Sequence, residues 1–306
     1  MNKRVLITGA SGFIGQHCIE PLLSRGYEVH AVASPRSGTR SDRVSWHRAD
    51  LLDPMRAVGL VNDVAPTHLL HLAWYVVPGK LITSPENFAW TTSSLELVRA
   101  FGALGGRRFV GCGSAYEYDW SYGYCSENRT PAVPNTVYGA CKQALNLMTA
   151  AFAAQTNLSA AWGRAFFLYG PQEQPDRLVA SVIRSLLRGE DAKCSHGRQI
   201  RDYMHVQDVA NGMVALLDSD VVGAVNISSG QATTLREIVS SIGRLVDRPD
   251  LIKLGAIPAR ANDAPLVVGD NTRLLQEVGW SQQFGLEDGL RDTIDWWKSR
   301  EAIETV

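Results

Sequence analysis

The stretch "NTVYGACKQA" (135–144) sets Tyr138 and Lys142 four residues apart. On a helix, positions i and i+4 share a face, so a phenol and an ammonium would stand side by side. An ammonium there favours phenolate and draws the tyrosine below its usual pKa of about 10, which suits proton exchange with an alcohol or a ketone. An exposed helix carrying one amphipathic aromatic has the same spelling, so the rest of the chain has to decide between the two.

A second constellation is "VLITGASGFIGQH" (5–17), with Gly9, Gly12 and Gly15 at three-residue intervals and Phe13 and Ile14 between the last two. Glycine lets the backbone turn sharply and approach a pyrophosphate, which then rests on the N–H groups and positive dipole end of the following helix. Placed between a first strand and a first helix, this predicts a dinucleotide site. The end of the second strand helps to choose the dinucleotide. An acidic residue there accepts from the ribose 2′-hydroxyl of NAD, whereas cations and hydroxyls suit the 2′-phosphate of NADP. "AVASPRSGTRSDR" (31–43) offers Ser34, Arg36, Ser37 and Arg40 with no carboxylate before Asp42, so NADP is expected and NAD is the alternative.

These groups need elements to hold them. Nearly continuous apolar runs at 4–10, 28–34, 68–74, 108–114 and 158–170 read as buried strands, with helical patterns near 13–25, 88–104 and 138–155 between them. That is the rhythm of an α/β, doubly wound parallel sheet of Rossmann type. Beyond Pro171 it changes: helices are expected over 176–190, 233–246 and 285–299, and a strand over 223–229. The expected division is a cofactor-binding part at 1–170, with 205–228 returning to it, and a smaller α/β substrate part at 171–306.

The chain has 306 residues, 45% hydrophobic and 20% charged, enough for one large α/β unit with a smaller one attached. A formal net charge of −1 gives no reason to expect a nucleic-acid or anionic-membrane partner. No apolar run approaches the roughly 20 residues of a membrane span, and "MNKRVLITGA" enters a strand-like run at once rather than a leader peptide. Five scattered cysteines without a Cys-x-x-Cys pair suit reduced thiols rather than a metal site, so a cytoplasmic protein without metal is expected.

The glycine spacing, "HLAW" (71–74) and "VYGACK" (137–142) together resemble the extended short-chain dehydrogenase/reductase family. "RAFFLYGP" (164–171) and "RDYMHVQDVA" (201–210) are similar to signatures of its nucleotide-sugar, NAD(P)-dependent epimerase/dehydratase branch. The resemblance covers nearly the whole chain. It implies that Tyr138 exchanges the proton of a carbinol oxygen, that Lys142 supports it and bonds the nicotinamide ribose, and that Ser114 in "GCGSAYEY" holds the substrate oxygen. It also implies that Asp50 and Leu51 lie by the adenine and that Leu72 and Ala73 line the nicotinamide side. Tyr116 and Arg201 would meet a nucleoside-diphosphate sugar, Arg201 at the diphosphate, and His205 and Asp208 would hold structure. A homodimer through the helices near 88–104 and 138–155 is expected on the same ground.

Two departures stand out. Phe167 replaces the asparagine of "RxxNxYGP", and Trp90 replaces an asparagine common before the helix at 91–104. Within the family, dehydratases place acids directly after the Ser/Thr, where this chain has Ala115 and Tyr116, with Glu117 one place out of register. The fucose-type branch needs a cysteine, here Tyr116, and a histidine, absent from "YGPQEQPDRL" (169–178). The expected reaction is therefore NADPH-dependent reduction of the 4-keto group of a nucleoside-diphosphate 4-keto-6-deoxy sugar. The alternatives are an NAD-dependent nucleotide-sugar 4-epimerase and a catalytically silent NADP-binding regulator. "YEYDWSYGY" (116–124) is either a sugar-stacking wall or a packed surface loop.

Overall fold

The computed structural model describes residues 3–33, 42–259, 261 and 263–304. Ser34, Arg36, Ser37 and Arg40 lie outside them. The chain begins β1 (Arg4–Thr8), α1 (Phe13–Ser24), β2 (Glu28–Ala33), β3 (Ser45–Arg48), α2 (Pro54–Val64), β4 (His68–His71), α3 (Glu86–Ala103) and β5 (Arg108–Ser114). After β6 (Tyr124–Cys125) come α4 (Val137–Ala154), β7 (Ser159–Ala165) and β8 (Phe167–Tyr169). Then follow α5 (Leu178–Leu187), β9 (Ala192–Cys194), β10 (Ile200–Arg201), β11 (Tyr203–His205), α6 (Val206–Asp218) and β12 (Gly223–Ile227). The chain ends with β13 (Thr233–Thr234), α7 (Leu235–Leu245), β14 (Ile252–Leu254), β15 (Leu266–Gly269), α8 (Thr272–Gln276) and α9 (Leu286–Glu304).

Seven strands form one parallel sheet in the order β12-β7-β5-β4-β1-β2-β3. Its strands are apolar on both faces because both are covered. Val5 and Ile7 of β1 point into a core shared with α1 and α6, whereas Leu6 points to a core shared with α2, α3 and α4. Period-two alternation thus feeds two helix layers, and each fully buried Leu, Ile or Phe adds about 1.5–3 kcal/mol.

The apolar run 158–170 is not the single strand its composition suggests. It divides at Phe166: β7 stays in the large sheet, while β8 pairs with β11, Phe167 opposite Tyr203. The pair β14-β9 lies over a core that α5, α7 and α9 share, and a four-stranded sheet, β13-β10-β15-β6, packs Cys125 and Val267 with Tyr118 and Phe166. Among the elements that the sequence does not announce are β3, α2 and the short strands of the second region; Asp53 caps α2 through its carboxylate, with Pro54 at its first position. Among the described residues no helix is long and apolar enough to cross a membrane.

Candidate active site

The glycine loop joins β1 to α1. Gly9 has φ +69°, and a Cβ there would come within 2.7 Å of Ala73 N, so the turn lies directly against the end of β4. A Cβ on Gly15 would overlap Gly9 O and stand 2.7 Å from Ala10 Cα, which fixes how closely α1 meets the loop. At Gly12 a Cβ would meet only Gly9 O, at 3.1 Å, leaving the outer side open. The α1 N-terminus has Gly12 as its cap, no side-chain cap bond and no acidic residue in its first turn. An open backbone cradle with unspent N–H groups and a positive dipole end fits a dinucleotide pyrophosphate.

Around the cradle, Leu72 N donates to Thr8 O at 3.3 Å and Ala73 N to Thr8 Oγ1 at 3.3 Å, so β4 ends beside the loop. Thr8 Oγ1 also meets His71 Nδ1 at 2.7 Å, and His71 Nε2 meets Ser94 Oγ of α3 at 2.8 Å. Burial, helped by the Lys142 charge, pushes His71 down to about 3 and keeps it neutral. Asp50 accepts from Leu52 N at 3.0 Å, and the buried Leu51 accepts from Ser93 through its carbonyl, which ties the turn after β3 to α3.

Ser114 ends β5, and Thr136 caps α4 by accepting from Gly139 N at 3.0 Å, which sets Tyr138 and Lys142 in the first turns. All three are buried, at 8%, 8% and 3% exposure. The Ser114 hydroxyl lies close enough to the Tyr138 phenol to favour its ionised form, against the larger effect of burial. Lys142 Nζ donates to Cys112 O at 2.8 Å and lies 3.7 Å from the centroid of the Trp74 ring, against 6.0 Å from that of Tyr138. This corrects one expectation. The Tyr138 phenol is pushed up rather than drawn down, chiefly by burial, because the ammonium turns toward Cys112 and Trp74. Burial also brings Lys142 down to about 8.

Glu117 faces away from these hydroxyls. It is fully buried and accepts from Ser114 N at 2.8 Å, from Trp162 Nε1 at 2.9 Å and from Arg164 Nε at 2.8 Å. Arg164 continues to Gln143 of α4 at 3.0 Å, so one buried pair ties β5, β7 and α4 behind Ser114. Only the acid's position hinted at this; Trp162 and Gln143 carried no sequence signal.

The cluster 116–124 divides. Tyr118 is buried with its hydroxyl on Asn226 at 2.8 Å, and Tyr122 and Tyr124 are exposed. Tyr116 packs on Tyr138 (5.8 Å) and Trp120 (4.5 Å), Trp120 meets Phe167 (6.1 Å), and Phe167 stacks on Tyr203 (5.6 Å). This half-buried aromatic wall leads from Tyr138 to the second region. Arg201 lies over Trp120 and Phe167, but its fork donates to Asp263 at 2.6 Å and to Ile200 O. His205 Nδ1 and Asp208 serve backbone N–H groups, of Gln207 and of Gln283 and Phe284. No group of three or more His, Cys, Asp or Glu able to hold a metal occurs among the described residues.

Residues 5–228 match the family described as NAD dependent epimerase/dehydratase. The chain belongs to this family, and with it to the NAD-dependent, extended short-chain dehydrogenase/reductase enzymes. It is 27% identical to UDP-glucose 4-epimerase of Mycolicibacterium smegmatis, over 97% of this chain and 99% of the relative. The UDP-glucose 4-epimerase of Thermus thermophilus, solved in complex with NAD, superposes with a TM-score of 0.87 at 26% identity, over 96% of this chain and 99% of that one. MoeE5 in complex with UDP-glucuronic acid and NAD gives 0.84 at 30% identity, over 97% and 99%. The family is thus one of enzymes acting on nucleotide sugars, as the sequence motifs imply.

Proposed function

We propose that the protein is an NAD-dependent nucleotide-sugar 4-epimerase, the alternative rather than the first expectation of the sequence. The observation that carries it is the Ser114, Tyr138 and Lys142 cluster with no acid turned toward it from the segment after Ser114. Ala115 and Tyr116 stand where a dehydratase places its acids, and Glu117 is committed to Arg164 and Trp162. That favours chemistry at one carbinol carbon without elimination. The choice of epimerase over ketoreductase follows the UDP-glucose 4-epimerases among the relatives.

When bound, NAD would supply reversible hydride-accepting chemistry at C4. Tyr138 removes the C4 hydroxyl proton and later gives it back, and Ser114 bonds the same oxygen, so a proton and a hydride leave and return and the net change is stereochemical. Lys142, its ammonium set against Trp74 and Cys112 O, would bond the nicotinamide ribose. A 4-keto sugar must offer its other face before the hydride returns. The wall of Tyr116, Trp120, Phe167 and Tyr203 supports this, because Phe167, where many relatives have asparagine, cannot fix the sugar by a hydrogen bond. Gly9, Gly12, Phe13, Ile14, Gly15, Leu72 and Ala73 would carry the pyrophosphate and nicotinamide side, Asp50 and Leu51 the adenine, and Arg201 the sugar-nucleotide diphosphate once Asp263 gives way.

Reduction of a 4-keto-6-deoxy sugar by NADPH is the second reading, favoured by Ser34 and Arg36 in a segment with no carboxylate before Asp42. One experiment separates the two. The purified protein is denatured and its released nucleotide identified. The native protein is then incubated with UDP-glucose, UDP-galactose and UDP-glucuronic acid, and separately with NADPH and nucleotide-linked 4-keto-6-deoxyhexoses. Retained NAD with interconversion of C4 epimers supports the epimerase. Stoichiometric NADPH loss with a gain of two hydrogens in the product, and no epimer formation, would replace it by the reductase.

A further inference from the structure

Trp74 follows the "HLA" of β4's end. A residue here borders the strand end where Ala73 meets the glycine loop. Its indole face is set against Lys142, with Nζ 3.7 Å from the ring centroid. The ring is held from three sides. Its Nε1 donates to Asn87 Oδ1 at 2.8 Å, and Asn87, fully buried, is itself fixed by donating to Leu81 O at 2.8 Å and Ser84 O at 2.9 Å. Trp90 packs on its other side with ring centroids 6.3 Å apart. The replacement of asparagine by Trp90, a departure in the sequence, thus backs the ring that faces the lysine.

We propose that Trp74 is a positioning residue for Lys142, its indole face and Cys112 O together fixing the ammonium at the rim of the cofactor cleft, 6.0 Å from the Tyr138 ring centroid. This rests on the reading of Lys142 as a ligand of the nicotinamide ribose. A cation over an indole is attracted by the ring quadrupole, most strongly where water is excluded, and a neutral amine is not. Trp74 therefore opposes the burial that draws Lys142 toward neutrality, and its loss should make Lys142 give up its proton at lower pH. The other groups facing Lys142 are Cys112 on β5, Glu117 beyond it, His71 on β4 and Tyr138 on α4. Cys112 and Tyr138 are pushed up by burial, His71 is pushed down to about 3, and Glu117 is engaged with Arg164. Lys142, brought to about 8, is the member whose charge changes near neutrality.

The test compares native protein with Trp74→Leu, Trp74→Phe and Lys142→Met, each first shown folded by thermal melting. NAD affinity is measured by calorimetry, and turnover separately, across about pH 6 to 9.5. The midpoint of the basic limb should fall by about one pH unit in Trp74→Leu, roughly tenfold in the protonation equilibrium, and by less in Trp74→Phe, which keeps a weaker π face. Should Trp74→Leu not fold, the smaller shift in Trp74→Phe decides. Trp74 variants that superpose on the native profile, with Lys142→Met defective, would overturn the proposal and leave the role of Lys142 standing. Native affinity and turnover in Lys142→Met would remove the reading of Lys142 itself, and the proposal with it.

Discussion

Tyr138 and Ser114 are neighbours, both buried, so removing one hydroxyl should alter chemistry more than shape. Tyr138→Phe keeps the ring against Tyr116 and is expected to lower turnover about 10²–10⁴-fold, the usual worth of a positioned acid–base group. NAD affinity, measured by calorimetry, should stay within about twofold; more than half the native rate would take Tyr138 out of the mechanism. Glu173 offers a second test. It is buried with Oε2 lacking a partner, and burial pushes its carboxyl up to about 8, Arg177 and the Ala180 N–H offsetting part of this. A carboxyl whose folded pKa lies above the unfolded value of 4.5 contributes its full stability below the unfolded value and loses it as pH rises through about 8. Glu173→Gln removes the charging step. The variant's Tm should therefore exceed the native one progressively more between about pH 5 and pH 8.5, and an equal difference at both ends would refute the assignment.

At the scale of elements, the β1–α1 turn makes the sharpest demand. Gly15→Ala sets a methyl group into Gly9 O and Ala10 Cα, which are backbone and must move, so the cradle opens even if the protein folds. The expected cost is about 1–3 kcal/mol of stability. NAD affinity should fall at least about tenfold, read by calorimetry beside a far-ultraviolet spectrum that stays native. Several such elements could be read beforehand. The glycine interval forces a strand–turn–helix, and the i, i+4 spacing of Tyr138 and Lys142 needs only helical geometry. Other features could not be read, because tertiary partners decide them. Nothing within 158–170 marks a turn, yet the run breaks at Phe166, where Phe166 N bonds to Ile227 O of β12 and Phe167 N to Asp202 O, just before β11. Helix α2 carries Gly59 and Asn62 in a short span, which dilutes its apolar period. The lowered phenol pKa expected from sequence failed for a related reason: spacing brings the ammonium near but does not say that Trp74 and Cys112 O will take it.

Across the whole molecule, Asp202 joins what the two sheets separate. Its carboxylate accepts from Ser229 N (2.8 Å), Ser229 Oγ (2.6 Å), Gly230 N (2.9 Å) and Gly269 N (3.1 Å), drawing the ends of β12 and β15 onto the bend between β10 and β11. Asp202→Ala leaves four donors unanswered, three of them in buried bonds, and should cost roughly 3–5 kcal/mol, measured by urea unfolding. Loss of less than about 1 kcal/mol would mean that water replaces the carboxylate. The return of β12 to the edge of the large sheet has a consequence in time as well as space. A ribosome releases β7 long before β12, and until then the last-formed edge offers its open N–H and C=O groups to any neighbouring chain. The core face built by α6 is missing over the same interval. The nascent chain therefore passes through a stage in which its cofactor cradle exists but its sheet is unsealed. Chains stalled before β12 should accumulate as chaperone clients rather than as a small working enzyme.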